Sequence, residues 1–441
     1  MSTRRAFLFV AIILLGLLLP AAWAAPAGDW QPAGMLLASD GYVNTRFGNT
    51  VVLQGDTAVV GAPRWNSSTA EDVGAAYVFT HNGVNWTERT RLTASDSLAT
   101  DLFGTSINLS GDTLAVGALY AWRVPPGQPG ALSTGAIYIF TGSGATWTEQ
   151  VKLAPDDLVQ YNGFGGPLDL VGDTLIAGAP NAFGPENEAA YIFERVNGIW
   201  GAPQKLTAPP ADNARNFGSS VEIAGDFALV GAPGNTVHDD ERPEVPGVVY
   251  IFRRLNGVWQ PAGTLTAPDG FAGDRFGCSI EYDGVMAVIR ACHAGDSTRL
   301  PGYVYVFTRD GTTWTPAAAP PRDNTYEFEI DGFGLFGDRL VLGTTDFPVE
   351  PYKGRFLIYR REGSSWVAEP PIIQPDDAQV DDVIDTGFGG PVALNDEHFL
   401  AGASSLAPSD VYDQGGVYVF RSASEVVFTL FTPVVAAPPG E

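Results

Sequence analysis

Two phrases recur in modified form along the whole chain: Gly55-Asp56-Thr57-Ala58-Val59-Val60-Gly61-Ala62-Pro63 and, a short distance later, Gly74-Ala75-Ala76-Tyr77-Val78-Phe79. A repeat longer than fifty residues indicates an array of similar structural units, each unable to bury its apolar surface alone. Copies of the second phrase end 52 to 61 residues apart, at Phe79, Phe140, Phe193, Phe252, Phe307, Tyr359 and Phe420.

Each unit contains the pattern of four short β-strands. A Gly-Asp turn such as Gly225-Asp226 separates the first two strands, and an Asn-Gly turn such as Asn256-Gly257 separates the last two. Asn-Gly between β-rich runs is a strong hairpin signal. The strands are apolar on both faces, so both faces of each sheet must be covered. The sequence therefore predicts an all-β fold, a seven-bladed β-propeller of four-stranded antiparallel blades.

Tryptophans indicate how the ring closes. In each of the first six units, the third strand is followed by a Trp that opens the outer strand, and in the seventh unit it is not. However, residues Trp30 to Gly34 are identical in sequence to residues Trp259 to Gly263. We expect a strand near residues 30–37 to complete the last blade, which would hide an open sheet edge. The alternative is that Val426 to Phe431, in the C-terminal strand or tail of residues 424–441, forms this strand. The six tryptophans are Trp86, Trp147, Trp200, Trp259, Trp314 and Trp366.

Residues 1–24 have the pattern of an export signal and precede the propeller, which we assign to residues 25–423. Arg4 and Arg5 supply the charge, an apolar core follows, and Ala22-Trp23-Ala24 matches a signal peptidase site. The two arginines also fit a twin-arginine signal, with an ordinary Sec signal as the alternative. We expect a secreted, cell-surface or periplasmic protein.

The net charge excludes one class of partner. The formal charge is −25, and removal of the two signal arginines gives −25 − 2 = −27, on a chain with no basic block. Nucleic acid is therefore not an expected partner. A second long apolar stretch is missing from the sequence, so we expect no membrane insertion, and we expect a monomer.

In most units a Phe-Gly pair such as Phe47-Gly48 is followed eight residues later by the Gly-Asp turn, and then by Gly-Ala-Pro as at Gly61-Ala62-Pro63. With these motifs the repeats resemble the FG-GAP repeats of the integrin α-chain propeller and its bacterial relatives. The sixth copy lacks an aligned Phe-Gly, and the fifth has Arg290-Ala291-Cys292 in place of Gly-Ala-Pro. The Phe-Gly half is carried by Phe47-Gly48, Phe103-Gly104, Phe164-Gly165, Phe217-Gly218, Phe276-Gly277 and Phe388-Gly389. The Gly-Ala-Pro half is carried by Gly61-Ala62-Pro63, Gly178-Ala179-Pro180 and Gly231-Ala232-Pro233, and in part by Gly117-Ala118 and Gly402-Ala403.

The resemblance implies calcium sites only where an Asp-rich loop joins the first two strands. Here that place holds a two-residue turn such as Gly55-Asp56, and one carboxylate cannot supply the six to eight oxygens that calcium takes. We therefore expect no cofactor and no family metal site. A cation is the alternative at one acidic connection, which otherwise is a solvated loop: Asp376, Asp377, Asp381, Asp382 and Asp385.

The loops between second and third strands are long and dissimilar, and variable loops on a rigid scaffold are a common place for function. The resemblance to integrin heads also implies partner binding at this end of the ring. Aromatic side chains in these loops are candidate ligand contacts, unless they fold back over the blade edges. These candidates are Trp65, Tyr120, Trp122, Phe183, Phe347, Tyr352 and Tyr412.

Cys278 and Cys292 are the two cysteines of the chain, and the repeat places them nearly opposite each other on one hairpin. In an exported protein this predicts a disulfide, with two buried free thiols as the alternative.

The sequence holds no recognisable catalytic motif, and its four histidines occupy unrelated places in the repeat. We therefore expect a non-enzymatic binding or adhesion module for an extracellular protein or glycan. The alternative is a polysaccharide hydrolase or lyase on the same scaffold, because paired carboxylates for glycoside cleavage have a spacing that only the fold reveals.

Overall fold

The structure is a computed structural model, and it describes residues 30–124, 130–180, 187–212, 214–234, 245–271, 273–292, 303–321, 329–345, 354–373, 388–405 and 414–422. Seven antiparallel sheets form the blades of a β-propeller, so the predicted fold class is confirmed. Each blade has four strands, which we call first to fourth from the inside of the ring outward. In blades 3 and 6 the fourth, outer strand is divided into two short segments. The described helical structure is one 3₁₀ turn, Pro210–Asp212.

The first four blades follow one another along the chain. Blade 1 contains β2 (Thr50–Gln54), β3 (Thr57–Ala62), β4 (Ala75–His81) and β5 (Trp86–Leu92). Blade 2 contains β6 (Phe103–Ser110), β7 (Thr113–Ala118), β10 (Ala136–Ser143) and β11 (Thr146–Leu153), with a small ribbon of β8 (Trp122–Arg123) and β9 (Leu132–Ser133). Blade 3 contains β12 (Leu168–Val171), β13 (Thr174–Ala179), β14 (Ala189–Val196) and the split outer strand β15 (Ile199–Trp200) and β16 (Gln204–Leu206). Blade 4 contains β17 (Ser220–Ala224), β18 (Phe227–Ala232), β19 (Val248–Leu255) and β20 (Val258–Leu265).

The last three blades complete the ring. Blade 5 contains β21 (Phe276–Tyr282), β22 (Met286–Ala291), β23 (Tyr303–Asp310) and β24 (Thr313–Ala317). Blade 6 contains β25 (Glu329–Phe336), β26 (Arg339–Thr345), β27 (Arg355–Glu362) and the split outer strand β28 (Ser365–Ala368) and β29 (Ile372–Ile373). Blade 7 contains β30 (Val392–Leu394), β31 (His398–Ala403), β32 (Gly416–Ser422) and, from the start of the described chain, β1 (Trp30–Leu36).

Strand β1 lies antiparallel to β32, with Trp30 opposite Ser422. Its register shifts by one residue between Pro32 and Gly34, and β20 has the same irregularity opposite Ile251 and Phe252. The matching letters at Trp30 and Trp259 thus correspond to matching backbone geometry. The predicted export signal at residues 1–24 and the predicted strand or tail at residues 424–441 lie outside the described residues.

The Phe of each Phe-Gly pair fills the core of its blade. Phe47 makes edge-on contacts with Tyr77 and Phe79, with ring centroids 5.4 Å and 6.0 Å apart. Phe217 contacts Tyr250 and Phe252 in the same way, at 5.4 Å and 6.2 Å. Edge-on aromatic pairs add to the free energy gained from burial, so this side chain anchors the first strand to the third.

The glycines of the two motif halves meet between blades. A Cβ at Gly178 would overlap the carbonyl oxygen of Gly218 in the next blade, and one at Gly61 would overlap that of Gly104. Only glycine allows two backbones to approach this closely. The Gly of Gly-Ala-Pro in one blade therefore packs against the Phe-Gly of the following blade.

Cys278 and Cys292 form a disulfide across the inner hairpin of blade 5, with Cα atoms 6.0 Å apart. The predicted pairing is confirmed, and the free-thiol alternative is wrong. In the described part of the chain, no helix has the length and apolar character needed to cross a membrane.

Candidate functional site

The two ends of the ring differ in construction. The turns between first and second strands, and those between third and fourth strands, are short and lie at one end, which we call the turn face. The loops between second and third strands and the connections between blades lie at the other end, which we call the loop face. The segments that differ most from one repeat to the next lie at the loop face, so this end is the first place to look for a site.

Blade 2 carries an exposed pair of tyrosines on the loop face. The rings of Tyr120 and Tyr161 are perpendicular, with centroids 6.4 Å apart, and the side chains are 39% and 44% exposed. Backbone bonds fix both residues, because the amide of Tyr120 donates to the Asp101 carbonyl at 3.2 Å and that of Tyr161 to the Ser133 carbonyl at 2.6 Å. We call Tyr120 and Tyr161 the tyrosine pair.

Trp122 lies beside this pair but is half-buried, because the ribbon of β8 and β9 folds back onto blade 2. Lys152 donates to the Trp122 carbonyl at 3.2 Å, and Arg123 contacts the Pro155 carbonyl. The ribbon therefore supports the tyrosine pair, and it leaves little of the Trp122 side chain accessible to a ligand. Tyr161 was not among the sequence candidates, because it lies in a connection between blades.

Trp65 occupies the core of blade 1 and is only 9% exposed. The guanidinium of Arg91 lies 4.0 Å from the centre of its ring. Trp65 is therefore not an exposed ligand contact, and it folds back over a blade edge as the alternative interpretation proposed. Four of the predicted contacts lie outside the described residues: Phe183, Phe347, Tyr352 and Tyr412.

Acidic residues in several connections between blades hold tyrosines of the third strands. Asp96 accepts hydrogen bonds from the Tyr138 hydroxyl at 2.6 Å and from Lys152 at 2.8 Å. Burial raises the pKa of Asp96, but these hydrogen bonds outweigh it and leave the pKa below its usual range. The same hydrogen bond to a third-strand tyrosine recurs at Asp40, Asp157, Asp212 and Asp269.

A second set of connection carboxylates is buried against backbone amides. Asp274 accepts hydrogen bonds from the amides of Gly247 and Phe276, both at 3.0 Å. Asp101 accepts one from Leu98 at 2.7 Å, and burial raises its pKa. These side chains fix the chain segments that cross between blades.

The acidic loop proposed as a cation site lies outside the described residues, at Asp376, Asp377, Asp381, Asp382 and Asp385. Within the described ranges, no group of three or more His, Cys, Asp or Glu side chains is arranged to hold a metal ion.

The central channel holds polar side chains that the motif analysis missed. The inner strands of blades 2 to 5 place Asn108, Asp169, Glu222 and Glu281 at equivalent positions, each three residues before the glycine of its turn. In blades 1, 6 and 7 the same position holds Val52, Gly334 and Ala393. At this position the inner strands are therefore polar in blades 2 to 5 and apolar in blades 1, 6 and 7.

The channel carboxyls form a chain of contacts across blades. Asn108 donates to Asp169 at 2.7 Å, and the amides of Leu170 and Ile223 donate to the same carboxylate at 2.7 Å and 2.9 Å. Glu222 hydrogen-bonds to Asp169, and two carboxyls can do so only when one of them is protonated.

Burial and charge repulsion keep protons in this channel. Burial, with the charges of Asp169 and Glu281, raises the pKa of Glu222 well above its usual range. Burial and the charge of Asp169 raise the pKa of Glu281 to about 8, against a hydrogen bond from the Leu335 amide. Both glutamates keep partial contact with solvent in the channel, which moderates the effect of burial. Asp169 also joins blade 3 to blade 4, because it accepts the hydrogen bond from the Ile223 amide.

The fold and the repeated contacts define a propeller of blades joined by Phe-Gly and Gly-Ala-Pro. The FG-GAP repeat model matches residues 30–79, 86–140, 147–193, 200–252 and 259–307, and the chain belongs to the FG-GAP repeat family. Each match begins at the Trp of an outer strand and ends at the Phe of the following third strand, so the family unit spans two blades.

Comparison with curated proteins finds no match. Among solved structures, the N-terminal domain of Nup159 is 10% identical, with 89% of this chain and 95% of that chain covered and a TM-score of 0.45. A polysaccharide lyase of the PL25 ulvan lyase family is 10% identical, with 88% and 96% covered and a TM-score of 0.49. These likenesses concern the fold alone.

Proposed function

We propose that this protein is an exported, non-enzymatic binding module that recognises an extracellular protein or glycan through its loop face. The observation that carries the proposal is the tyrosine pair, in which Tyr120 and Tyr161 present two perpendicular, part-exposed rings on a rigid support. Tyrosines held this way offer large contact area at a low cost in conformational entropy.

The surroundings of the pair support contact with a partner. Leu98 and Val124 belong to the adjoining segments of the same loop face and are 53% and 65% exposed. Exposed apolar side chains on the same face as the tyrosine pair add to the surface that a partner could contact.

The polar groups inside the ring favour binding over hydrolysis. Asp169 directs its oxygens to Asn108 and to the amides of Leu170 and Ile223. These bonds tie the carboxylate to the backbone of blades 3 and 4, which is a structural use of a carboxylate.

A binding test pairs a tyrosine variant with a control from the turn face. The double variant Tyr120→Ala/Tyr161→Ala is compared with Ile199→Ala, whose side chain is 74% exposed at the other end of blade 3. On a glycan array and a panel of purified surface proteins, we expect the double variant to lose at least about tenfold in affinity for the bound partner. The control should stay within about twofold.

Two outcomes contradict the proposal. One is equal binding by the double variant and the native protein. The other is turnover of a polysaccharide from the same panel, measured as new reducing ends or unsaturated products, which would support the lyase or hydrolase alternative.

A further inference from the structure

The outer-strand tryptophans of most blades are covered by another side chain. In blade 3 the guanidinium carbon of Arg195 lies 5.4 Å from the centre of the Trp200 ring, and in blade 4 Arg254 covers Trp259 at the same distance. Trp366 of blade 6 is itself buried. The remaining covering groups are His81 on Trp86, Tyr282 on Trp314 and Phe399 on Trp30.

Trp147 of blade 2 differs, because the residue opposite it on the third strand is Gly142. Within the described chain, no cation lies over the Trp147 ring as Arg195 lies over Trp200. The indole Nε1 of Trp147 donates to the Gly144 carbonyl at 3.2 Å, and the side chain packs against the core of its blade. The ring is therefore held in place, while part of its surface stays accessible.

An open cleft lies beside Trp147, between the turns of blades 1 and 2. It has a volume of about 210 Å³, and its lining includes Gln54, Thr57, Leu109, Ser143 and Trp147. Clefts that hold drug-sized ligands have volumes of about 300–1,000 Å³. This cleft is smaller, so it fits a group of about the size of one six-membered ring with its substituents.

Three side chains of the lining keep hydrogen-bonding groups for a ligand. Among the residues that the structure describes, none forms a hydrogen bond with the side chains of Gln54, Thr57 or Ser143. Thr113 occupies the position of Thr57 in the next blade, and there the hydroxyl accepts a hydrogen bond from Arg195 at 2.9 Å. The cleft thus offers an amide and two hydroxyls beside an aromatic ring.

The chemistry of the lining selects the class of ligand. The lining has no charged side chain, and the net charge of −25 repels anions from the surface as a whole. A purely apolar group would cover the amide and the two hydroxyls without bonding to them, which costs binding free energy. A neutral sugar ring suits both features, because it has C–H faces for the indole and hydroxyls around its rim.

We propose that the cleft between the turns of blades 1 and 2 binds one neutral pyranose ring of a glycan. A C–H face of the sugar packs on Trp147, and its hydroxyls bond to Gln54, Thr57 and Ser143. The cleft lies on the turn face, at the opposite end of the propeller from the tyrosine pair. It is therefore a second binding site, beyond the one proposed on the loop face.

The test follows the indole N–H resonance of Trp147 in ¹H–¹⁵N spectra of the full chain, identified by its loss in Trp147→Phe. The probes are the methyl pyranosides of glucose, galactose and mannose. We expect at least one of them to cause a saturable shift with a Kd on the order of millimolar, as suits a small, open cleft. The corresponding methyl uronide, which adds a carboxylate to the same ring, should bind at least about threefold more weakly.

Variants of the lining test the polar contacts. Gln54→Ala and Thr57→Val should each weaken binding of the glycoside at least about threefold. The matched control is Thr174→Val, the same change at the equivalent position of blade 3, where Arg254 covers the neighbouring Trp259. An absent shift with every glycoside, equal binding of the uronide, or equal weakening by Thr57→Val and Thr174→Val would each overturn the proposal.

A second set of probes distinguishes the source of the ligand. Acetyl-leucine amide presents a neutral apolar side chain, and tighter binding of this probe than of any glycoside would overturn the choice of a glycan in favour of a peptide. A trisaccharide of the sugar that binds should bind at least as tightly as its methyl glycoside, because the cleft is open. Weaker binding of the trisaccharide would indicate a free monosaccharide and overturn the assignment to a glycan.

The loop-face variant separates this site from the tyrosine pair. Tyr120→Ala/Tyr161→Ala should leave the glycoside titration of Trp147 unchanged, whatever its effect on binding at the loop face. Loss of the Trp147 shift in this variant would place the sugar at the loop face and overturn the proposal. The two proposals can therefore fail independently.

Discussion

Blades 3 and 4 meet through bare backbone, whereas blades 5 and 6 meet where both halves of the motif are missing. At the first junction, Gly178 packs against the carbonyl oxygen of Gly218. At the second, the buried side chain of Arg290 stands at the position of Gly178, and blade 6 has no Phe-Gly. The two departures that the sequence shows in separate repeats thus belong to one junction.

This comparison explains why Phe-Gly and Gly-Ala-Pro occur together. The glycine of one motif is needed only because the glycine of the other lies against it, so the loss of one removes the reason for keeping its partner. Blade 5 also carries a covalent crosslink within its own inner hairpin, between Cys278 and Cys292.

We expect the largest loss of folding stability from a change at the glycine contact between blades 3 and 4. Gly178→Val would force its side chain into the Gly218 carbonyl and separate the two inner strands. We expect a loss of about 4 kcal/mol or more in the free energy of unfolding, measured by urea denaturation.

The matched control for this variant lies in the same blade. A Cβ at Gly201 would be 3.5 Å from the Glu194 carbonyl oxygen, an ordinary contact, so Gly201→Ala should change stability by less than about 0.5 kcal/mol. Equal stability of the two variants would show that the close glycine contact is not what holds blades 3 and 4 together.

The disulfide of blade 5 should have a smaller effect. It joins residues 14 apart in sequence, and opening a loop of that size costs about 3 kcal/mol of stability. Cys278→Ser/Cys292→Ser should therefore lower the melting temperature, and a reducing agent should lower that of the native protein to the same value. No change in either experiment would mean that the crosslink does not stabilise the folded protein.

The sequence predicted the fold because the repeat encodes local contacts. The repeat also predicted the disulfide, because Cys278 and Cys292 occupy opposite positions of a hairpin that other blades share. The similarity of Trp30 to Trp259 likewise has a structural counterpart, because β1 and β20 share an irregular register.

The candidate site was harder to predict because it depends on contacts between different blades. Asp96 and Asp157 lie in connections between blades, and each accepts a hydrogen bond from a third-strand tyrosine that is distant in sequence. Trp65 and Tyr120 looked equivalent as loop aromatics, but only Tyr120 remains exposed. The direction in which a loop folds is set by partners distant in sequence, such as Arg91 over Trp65.

The smallest expected effect is a dependence of stability on pH at the axis between blades 5 and 6. Glu281 on blade 5 accepts a hydrogen bond from the Leu335 amide of blade 6, and its pKa is raised to about 8. Because a glutamate in the unfolded chain has a pKa of about 4.3, the folded state binds more protons between these values. The contribution of Glu281 is therefore fully present below about pH 4 and is lost as the pH rises through about 8.

We expect the free energy of unfolding of the native protein to fall more steeply than that of Glu281→Gln between about pH 5 and pH 9, measured by urea denaturation at each pH. Glutamine keeps an oxygen for the Leu335 amide but does not ionise. Glu71→Gln, which changes an exposed carboxylate of blade 1, should retain the native pH dependence. A native slope in Glu281→Gln would mean that the proton is held elsewhere in the channel, and would place the pH response at Asp169 and Glu222 between blades 3 and 4.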